Sequence, residues 1–217
     1  MQEIAPMNRL LLLLLATLLP LNLKLFTYRK IMGWRIGRNV RIGFSYIDAD
    51  QVCIGENVCI GHLNVIRCIK RLQIGENSRL VNFNQFFGRR DNPNWVSQLT
   101  IGKNVHLTSH HFIDVGGVVT IGDRTIVAGR DTQIWSHSLI YKNSEPMLSP
   151  LTVSIGEEVY IGARSTLVNC QIPARAVIGA GSVVTKSFAE EPDRLLIAGN
   201  PAIIEKRYKA TDSAPVR

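Results

Sequence analysis

Cysteine is scarce in this chain of 217 residues: Cys53, Cys59, Cys68 and Cys170 are the whole set. A chain this long can build a core without staples, so a disulfide scaffold is excluded and a reducing compartment is expected. No two cysteines form a CxxC pair, which argues against a cysteine zinc site. A long apolar run is also lacking. Residues 10–19 are almost wholly apolar, but Asn22 and Lys24 fall within a window of the roughly 20 residues that a membrane span requires. No small-x-small cleavage site follows the run and basic residues come next, so a secretory signal peptide is not expected. Acidic residues are almost missing from the first 41 positions. Glu3 stands alone there against Arg9, Lys24, Arg29, Lys30, Arg35, Arg38 and Arg41, so this segment carries six of the eight excess positive charges of the chain. Basic residues gathered around an apolar helix, without interleaved aromatics along a face, do not make a nucleic-acid surface. They fit a helix lying in an anionic membrane interface through residues 7–30, with packing on protein as the alternative. That placement implies a cytoplasmic protein, peripheral on the inner face of a membrane.

What the sequence has in excess is one dipeptide. Ile-Gly occurs ten times, beginning at 36, 42, 54, 60, 74, 101, 121, 155, 161 and 178, where composition alone gives roughly two. Separations of six recur, so the unit is a hexapeptide led by an aliphatic residue. At about 3.3 Å per residue such a unit is a short strand plus a turn. It can bury its aliphatic residue only by winding into a solenoid, with Gly, Asn and Ser at the corners. Three hexads make a rung of 18, the separation of Ile36 and Ile54. The longer gap from Ile74 to Ile101 implies an excursion around residues 86–96, and that from Ile121 to Ile155 a second one around 139–152. Excursions from a rigid solenoid are where function concentrates. Residues 1–34 are then an N-terminal helical segment, 35–187 the solenoid, and 188–217 a tail with a short helix over 202–209.

Three segments carry a resemblance: Val-Tyr-Ile-Gly-Ala-Arg-Ser (159–165), Val-Ile-Gly-Ala-Gly-Ser-Val-Val-Thr-Lys (177–186) and Gly-Asn-Pro-Ala (199–202). They resemble the hexapeptide-repeat acyltransferases, and within them the sugar O-acetyltransferases of colanic-acid and nodulation type. The resemblance spans roughly residues 35–205. It implies an all-β fold, a left-handed parallel β-helix, and a homotrimer that transfers an acetyl group from acetyl-CoA to a sugar hydroxyl in polysaccharide or lipopolysaccharide biosynthesis. Left-handedness comes from the resemblance alone, since ordinary β crossovers are right-handed.

The same resemblance assigns residues. Gln-Ile-Trp-Ser-His-Ser (133–138) matches the segment bearing the general base, so the role falls to His137. An imidazole suits it, because a sugar hydroxyl must lose its proton while attacking a thioester. The backbone N–H of Ala163 is the implied oxyanion donor, with Gly162 permitting close approach. Gly162, Ala163, Ala180, Thr185, Lys186 and Lys206 match positions along the CoA arm and phosphates. His111 and Asp114, in a His-aromatic-Ile-Asp stretch, are expected to bind the acceptor or orient the base. No metal is called for. Tyr160 replaces a Trp frequent in the family, a change in packing near the groove.

Two other functions compete. γ-Type carbonic anhydrases use the same solenoid and bind zinc through three His; here His106 and His111 lie five apart, with His62 or His137 as a third ligand. A non-catalytic scaffold would keep the solenoid and bind no CoA.

Overall fold

In the computed structural model, which describes residues 6–91, 93–142, 144–191 and 194–208, the chain winds into a parallel β-helix with three strand-bearing faces. Inward-pointing aliphatic residues stack in three columns. On the first face Ile36, Ile54, Ile74, Ile101, Ile121, Ile155 and Ile172 pair in succession. The unequal sequence gaps therefore collapse onto one register. The second face stacks Ile47, Ile66, Phe86, Ile113, Ile134, Leu167 and Val184. The third runs Ile42, Ile60, Leu80, Leu107, Val127, Ile161, Ile178 and Ile197. All but Ile36 are buried. Each such side chain contributes about 1.5–3 kcal/mol when removed from water, which is why every rung keeps an aliphatic residue or Phe at these positions.

Stacking also explains the glycine of each Ile-Gly pair. A Cβ on Gly55 would lie 2.6 Å from the amide nitrogen of Glu76, one rung on. At Gly162 the obstacle is Ala180 N, also at 2.6 Å. The next coil of the same chain thus dictates glycine at 162, independently of any ligand. At the corner between the third and second faces, a buried polar ladder runs up the molecule. Asn64 Nδ2 donates to Ser45 Oγ (3.3 Å), Asn84 N–H to Asn64 Oδ1 (3.0 Å), His111 N–H to Asn84 Oδ1 (2.9 Å) and Thr132 N–H to His111 Nδ1 (3.3 Å). Ser165 and Ser182 continue it by bonding Gly179 O. Buried polar side chains persist here because each is partnered.

The two excursions leave from the other edge of the second face. The first is shifted from its predicted bounds: strand Gln85–Gly88 belongs to the ladder, since Phe86 is fully buried, and the chain departs only over residues 89–97. The second is an antiparallel hairpin, His137–Lys142 paired with Glu145–Pro150, so it begins two residues earlier than expected.

The N-terminus forms α1 (Pro6–Leu18) and α2 (Leu21–Phe26), followed by a π-helical turn over Thr27–Ile31. One side of this segment packs on the solenoid. Leu13, Ala16, Leu25 and Tyr28 join the solenoid core, whereas Leu10, Leu11, Leu14, Leu15 and Leu18 are each at least half exposed. Several of its charges are used internally. Lys24 is buried and donates to Ile42 O and Gly43 O, and burial pulls its ammonium below the usual range. Arg29 donates to Ile36 O and Gly37 O, and Arg9 pairs with Asp48 and Asp50. No helix among the described residues is long and apolar enough to cross a membrane.

At the other end the short helix expected over 202–209 is replaced. Ala202–Arg207 is a strand, antiparallel to Leu195–Gly199, which itself pairs with Val177–Ile178 of the last rung. A solenoid ends in an open strand edge, and a hairpin satisfies those backbone groups where a helix could not. Residue 209 lies outside the described residues.

Candidate active site

His137 stands where the second excursion leaves the helix, directly after strand Gln133–Trp135. Its Nδ1 lies 2.7 Å from Asp114 Oδ1, one rung earlier. That oxygen also accepts from Ser136 N–H (3.2 Å) and Gly116 N–H (3.3 Å), while Ser136 Oγ–H donates to the Asp114 backbone O (2.8 Å). An oxygen receiving so many donors is a carboxylate acceptor, so His137 carries its proton on Nδ1. Nε2 is left with a lone pair and a partly exposed ring edge, the arrangement a general base requires.

The loop over 89–97 and the hairpin wall this pair. Trp95 and Trp135 meet the His137 ring edge-on, with centroids 5.8 and 6.1 Å away. Arg89 lies over Trp95 at 4.3 Å, and the loop neck closes through Ser97 Oγ, which bonds both Arg89 N and Arg89 O. Two glycines allow the closeness. A Cβ on Gly116 would strike the Trp95 ring at 2.7 Å, and one on Gly117 would strike Leu151 O at the hairpin base. The loop is held at its other side by Arg90, which bonds both oxygens of the nearly buried Asp48 (3.0 and 2.9 Å) as well as Asp48 O and Ile69 O.

The structure brings Asp114 to His137 but places His111 elsewhere. His111 is 1% exposed, with Nε2 on Thr108 Oγ1 (2.9 Å) and Nδ1 on Thr132 N–H. Burial lowers its pKa to about 4, so it is a neutral member of the polar ladder and orients no base. With both nitrogens engaged it is also a poor zinc ligand, which weakens the carbonic-anhydrase alternative. Among the described residues no three His, Cys, Asp or Glu side chains cluster as a metal site.

The remaining predicted residues fall at two edges. Thr185 and Lys186 lie exposed at the His137 edge, since Trp135 pairs with Val168 and Leu167 with Val184. Ala163 and Ala180 sit at the opposite edge: Gln133 N–H bonds Ser165 O, and Gly181 N–H bonds Ala163 O. From Gln133 to His137 is four residues, on the order of 13 Å of strand. Lys206, opposite Leu196, is on the third face at the Val177 end of the terminal hairpin. Within one chain, therefore, His137 and Ala163 do not meet. Trp95, Trp135 and Arg89 went unassigned in the sequence. Trp135 sits inside the motif that yielded His137, and alternation from the inward Ile134 puts it on the outer face.

Comparison with solved structures bears on the fold that carries this imidazole–carboxylate pair. The fold matches the N-acyltransferase AntD of Bacillus cereus, in complex with dTDP and coenzyme A, at a TM-score of 0.55 and 21% identity, over 80% of this chain and 86% of that one. The solenoid is thus the left-handed parallel β-helix of acyltransferases. Among curated sequences, the chain is 30% identical over 139 residues to WbbJ of Escherichia coli K12, provisionally described as a lipopolysaccharide biosynthesis O-acetyl transferase; the match covers 58% of this chain and 69% of WbbJ. The chain belongs to the hexapeptide-repeat acyltransferases, in their sugar O-acetyltransferase branch. It is also 27% identical to an uncharacterised protein of Dictyostelium discoideum, spanning only 52% of that protein's length. No protein-family model matches.

Proposed function

We propose that the protein transfers an acetyl group from acetyl-CoA to a hydroxyl of a glycan precursor, with His137 as general base. The observation that carries this reading is the Asp114–His137 pair, with Nε2 unpartnered among the described residues beside two tryptophans in a chain of this family. His137 Nε2 takes the hydroxyl proton as the sugar oxygen attacks the thioester carbonyl. Asp114 stabilises the imidazolium, and the proton passes to the departing thiolate. The backbone N–H of Ala163 has no partner among the described residues and suits the developing oxyanion. Lys186 and Lys206 offer exposed ammonium groups to the CoA phosphates.

Because His137 and Ala163 lie at opposite edges of one face, the reading requires a second copy to complete each site, as in a cyclic homotrimer. The exposed leucines of α1, with Lys30, Arg35 and Arg41 nearby in sequence, suit an anionic bilayer surface. There the enzyme would meet a lipid-linked acceptor from the cytoplasmic side.

The test is transfer of label from acetyl-CoA to an extract of lipid-linked glycan intermediates. Wild type should label carbohydrate; His137→Ala should lose more than about a hundredfold of that rate with its melting temperature unchanged. Binding of CoA without labelling of any carbohydrate would refute the acceptor half of the proposal.

A further inference from the structure

On the first face, where residues 32–35 leave the π-helical turn and join the early rungs, lies a cleft of about 540 Å³. Its volume is within the range of small-molecule sites, roughly 300–1,000 Å³. Two exposed arginines line it, Arg35 and Arg71. Arg71 Nε–H donates to Gln51 Oε1 at 3.3 Å, which orients the guanidinium and leaves its two terminal nitrogens open. Arg35 has no hydrogen-bond or ion-pair partner among the described residues. Asp50, the acidic residue of the lining, is already engaged by Arg9 (2.9 Å) and Arg90 (3.1 Å). The cleft therefore keeps two uncompensated positive charges, whereas Arg38, Arg124 and Arg207 elsewhere on the surface each meet a glutamate. It lies off the second face, whose edges the proposed trimer joins, and the corner beside it is covered by this chain's own Arg9 and Arg90.

We propose that this cleft holds the diphosphate of a lipid-borne acceptor, whose glycan rises along the first face to His137. The proposal rests on the acetyltransferase reading and deepens it. Guanidinium groups match phosphate oxygens in paired hydrogen bonds, and two of them balance the charge of a diphosphate link. Arg35 and Arg71 are two rungs and two residues apart, about 12 Å between Cα atoms, so their side chains can converge on one such group. Sugar nucleotides carry a diphosphate too, but the position of the cleft favours the lipid. Arg9 of α1 reaches Asp50 on the cleft rim, so the cleft opens beside the helix whose leucines are exposed. Beyond Arg71 the outward column reads Gln98, Val118 and Thr152 in register, with Thr100, Thr120 and Ser154 beside it. Hydroxyls and a carboxamide, with no charged group among them, suit a glycan. Thr152 follows Pro150, the hairpin partner of His137, by two residues. The column thus rises to the level of the base, three rungs or about 14 Å beyond Arg71.

The first arm of the experiment is co-sedimentation of the full-length protein with phosphatidylcholine vesicles that carry either a polyprenyl diphosphate or phosphatidylserine at matched surface charge. Wild type should bind the diphosphate vesicles at least about tenfold more tightly, and inorganic pyrophosphate should compete. Arg35→Gln and Arg71→Gln should each remove most of that preference. Arg79→Gln, which takes the same charge from the third face, should keep it. The second arm is transfer from labelled acetyl-CoA. Intact lipid-linked glycan should be labelled at least about tenfold faster than the same glycan released by mild acid, at equal, subsaturating concentration, and Arg71→Gln should bring that ratio towards one. Equal binding of both vesicles by wild type would overturn the proposal, as would arginine variants that keep its preference. Binding of uridine diphosphate without any preference for diphosphate vesicles would overturn it by giving the cleft to a nucleotide. A lower melting temperature or a changed assembly mass for Arg71→Gln would also overturn it, by making Arg71 a structural contact. A diphosphate preference with no labelling of any carbohydrate would uphold the diphosphate site and refute the acetyltransferase reading instead.

Discussion

A histidine in the polar ladder makes this fold sensitive to acid at a single residue. Burial holds the folded-state pKa of His111 at about 4, below the 6.5 of an ordinary imidazole. As pH falls through 6.5 the unfolded chain takes up a proton that the folded chain refuses, so stability falls with pH. The contribution is fully present above about pH 6.5 and lost by about pH 4, a change on the order of 3 kcal/mol. Denaturant unfolding at pH 7.5 and 5 should show part of this difference. His111→Asn should remove that part, since Asn84 and Asn64 hold the same ladder position one and two rungs earlier. Sequence alone pairs His111 with Asp114 as site residues because they share one short stretch. What separates them is the rung register: His111 falls on the inward corner, while Asp114 falls at the opposite edge beneath Ser136. That register emerges only when the unequal gaps are aligned across all three faces.

At the scale of elements, one carboxylate ties the N-terminal helix to the active-site loop. Asp48, 8% exposed, receives Arg9 of α1 at 3.2 Å and Arg90 of the loop at 2.9 Å. Asp48→Asn would remove the more buried of the two carboxylates these guanidinium groups share, since Asp50 also pairs with Arg9 and Arg90 (2.9 and 3.1 Å). A cost of about 1.5–3 kcal/mol is expected, read as a lower melting temperature, with slower turnover because Trp95 and His137 share that loop wall. Helix α1 makes a separate prediction. Leu11→Glu with Leu15→Glu alters only its exposed stripe, so co-sedimentation with phosphatidylserine-containing vesicles should fall while melting temperature holds; unchanged sedimentation would refute the membrane proposal. The apolar character of α1 was readable from residues 10–19, but the division of its charges was not. Arg9 and Lys24 look like membrane-facing cations in one dimension, and only folding brings them to Asp48 and to the carbonyls of residues 42 and 43. The tail was misread for a related reason. Six residues after a proline carry too little periodicity to choose helix or strand, and the unpaired edge of Leu195–Gly199 decides.

For the whole molecule, the repeat was legible because a solenoid writes its period into the chain: each rung buries the same kind of residue and excludes a Cβ at the same corner. A site assembled from two copies leaves no such trace, since its residues are close neither in sequence nor in one subunit. The proposed trimer can nevertheless be tested through that division of labour. His137→Ala removes the base at one edge, and Ala180→Glu places a bulky anion on an exposed residue at the other. Each homotrimer should be inactive. If the chains are unfolded together and reassembled in equal amounts, some interfaces will pair an intact His137 from one variant with an intact Ala180 from the other. Random assembly gives about a quarter of interfaces of that kind, so about a quarter of wild-type activity should return. Simple mixing of preformed assemblies should return none, and a site contained in one chain would gain nothing from reassembly.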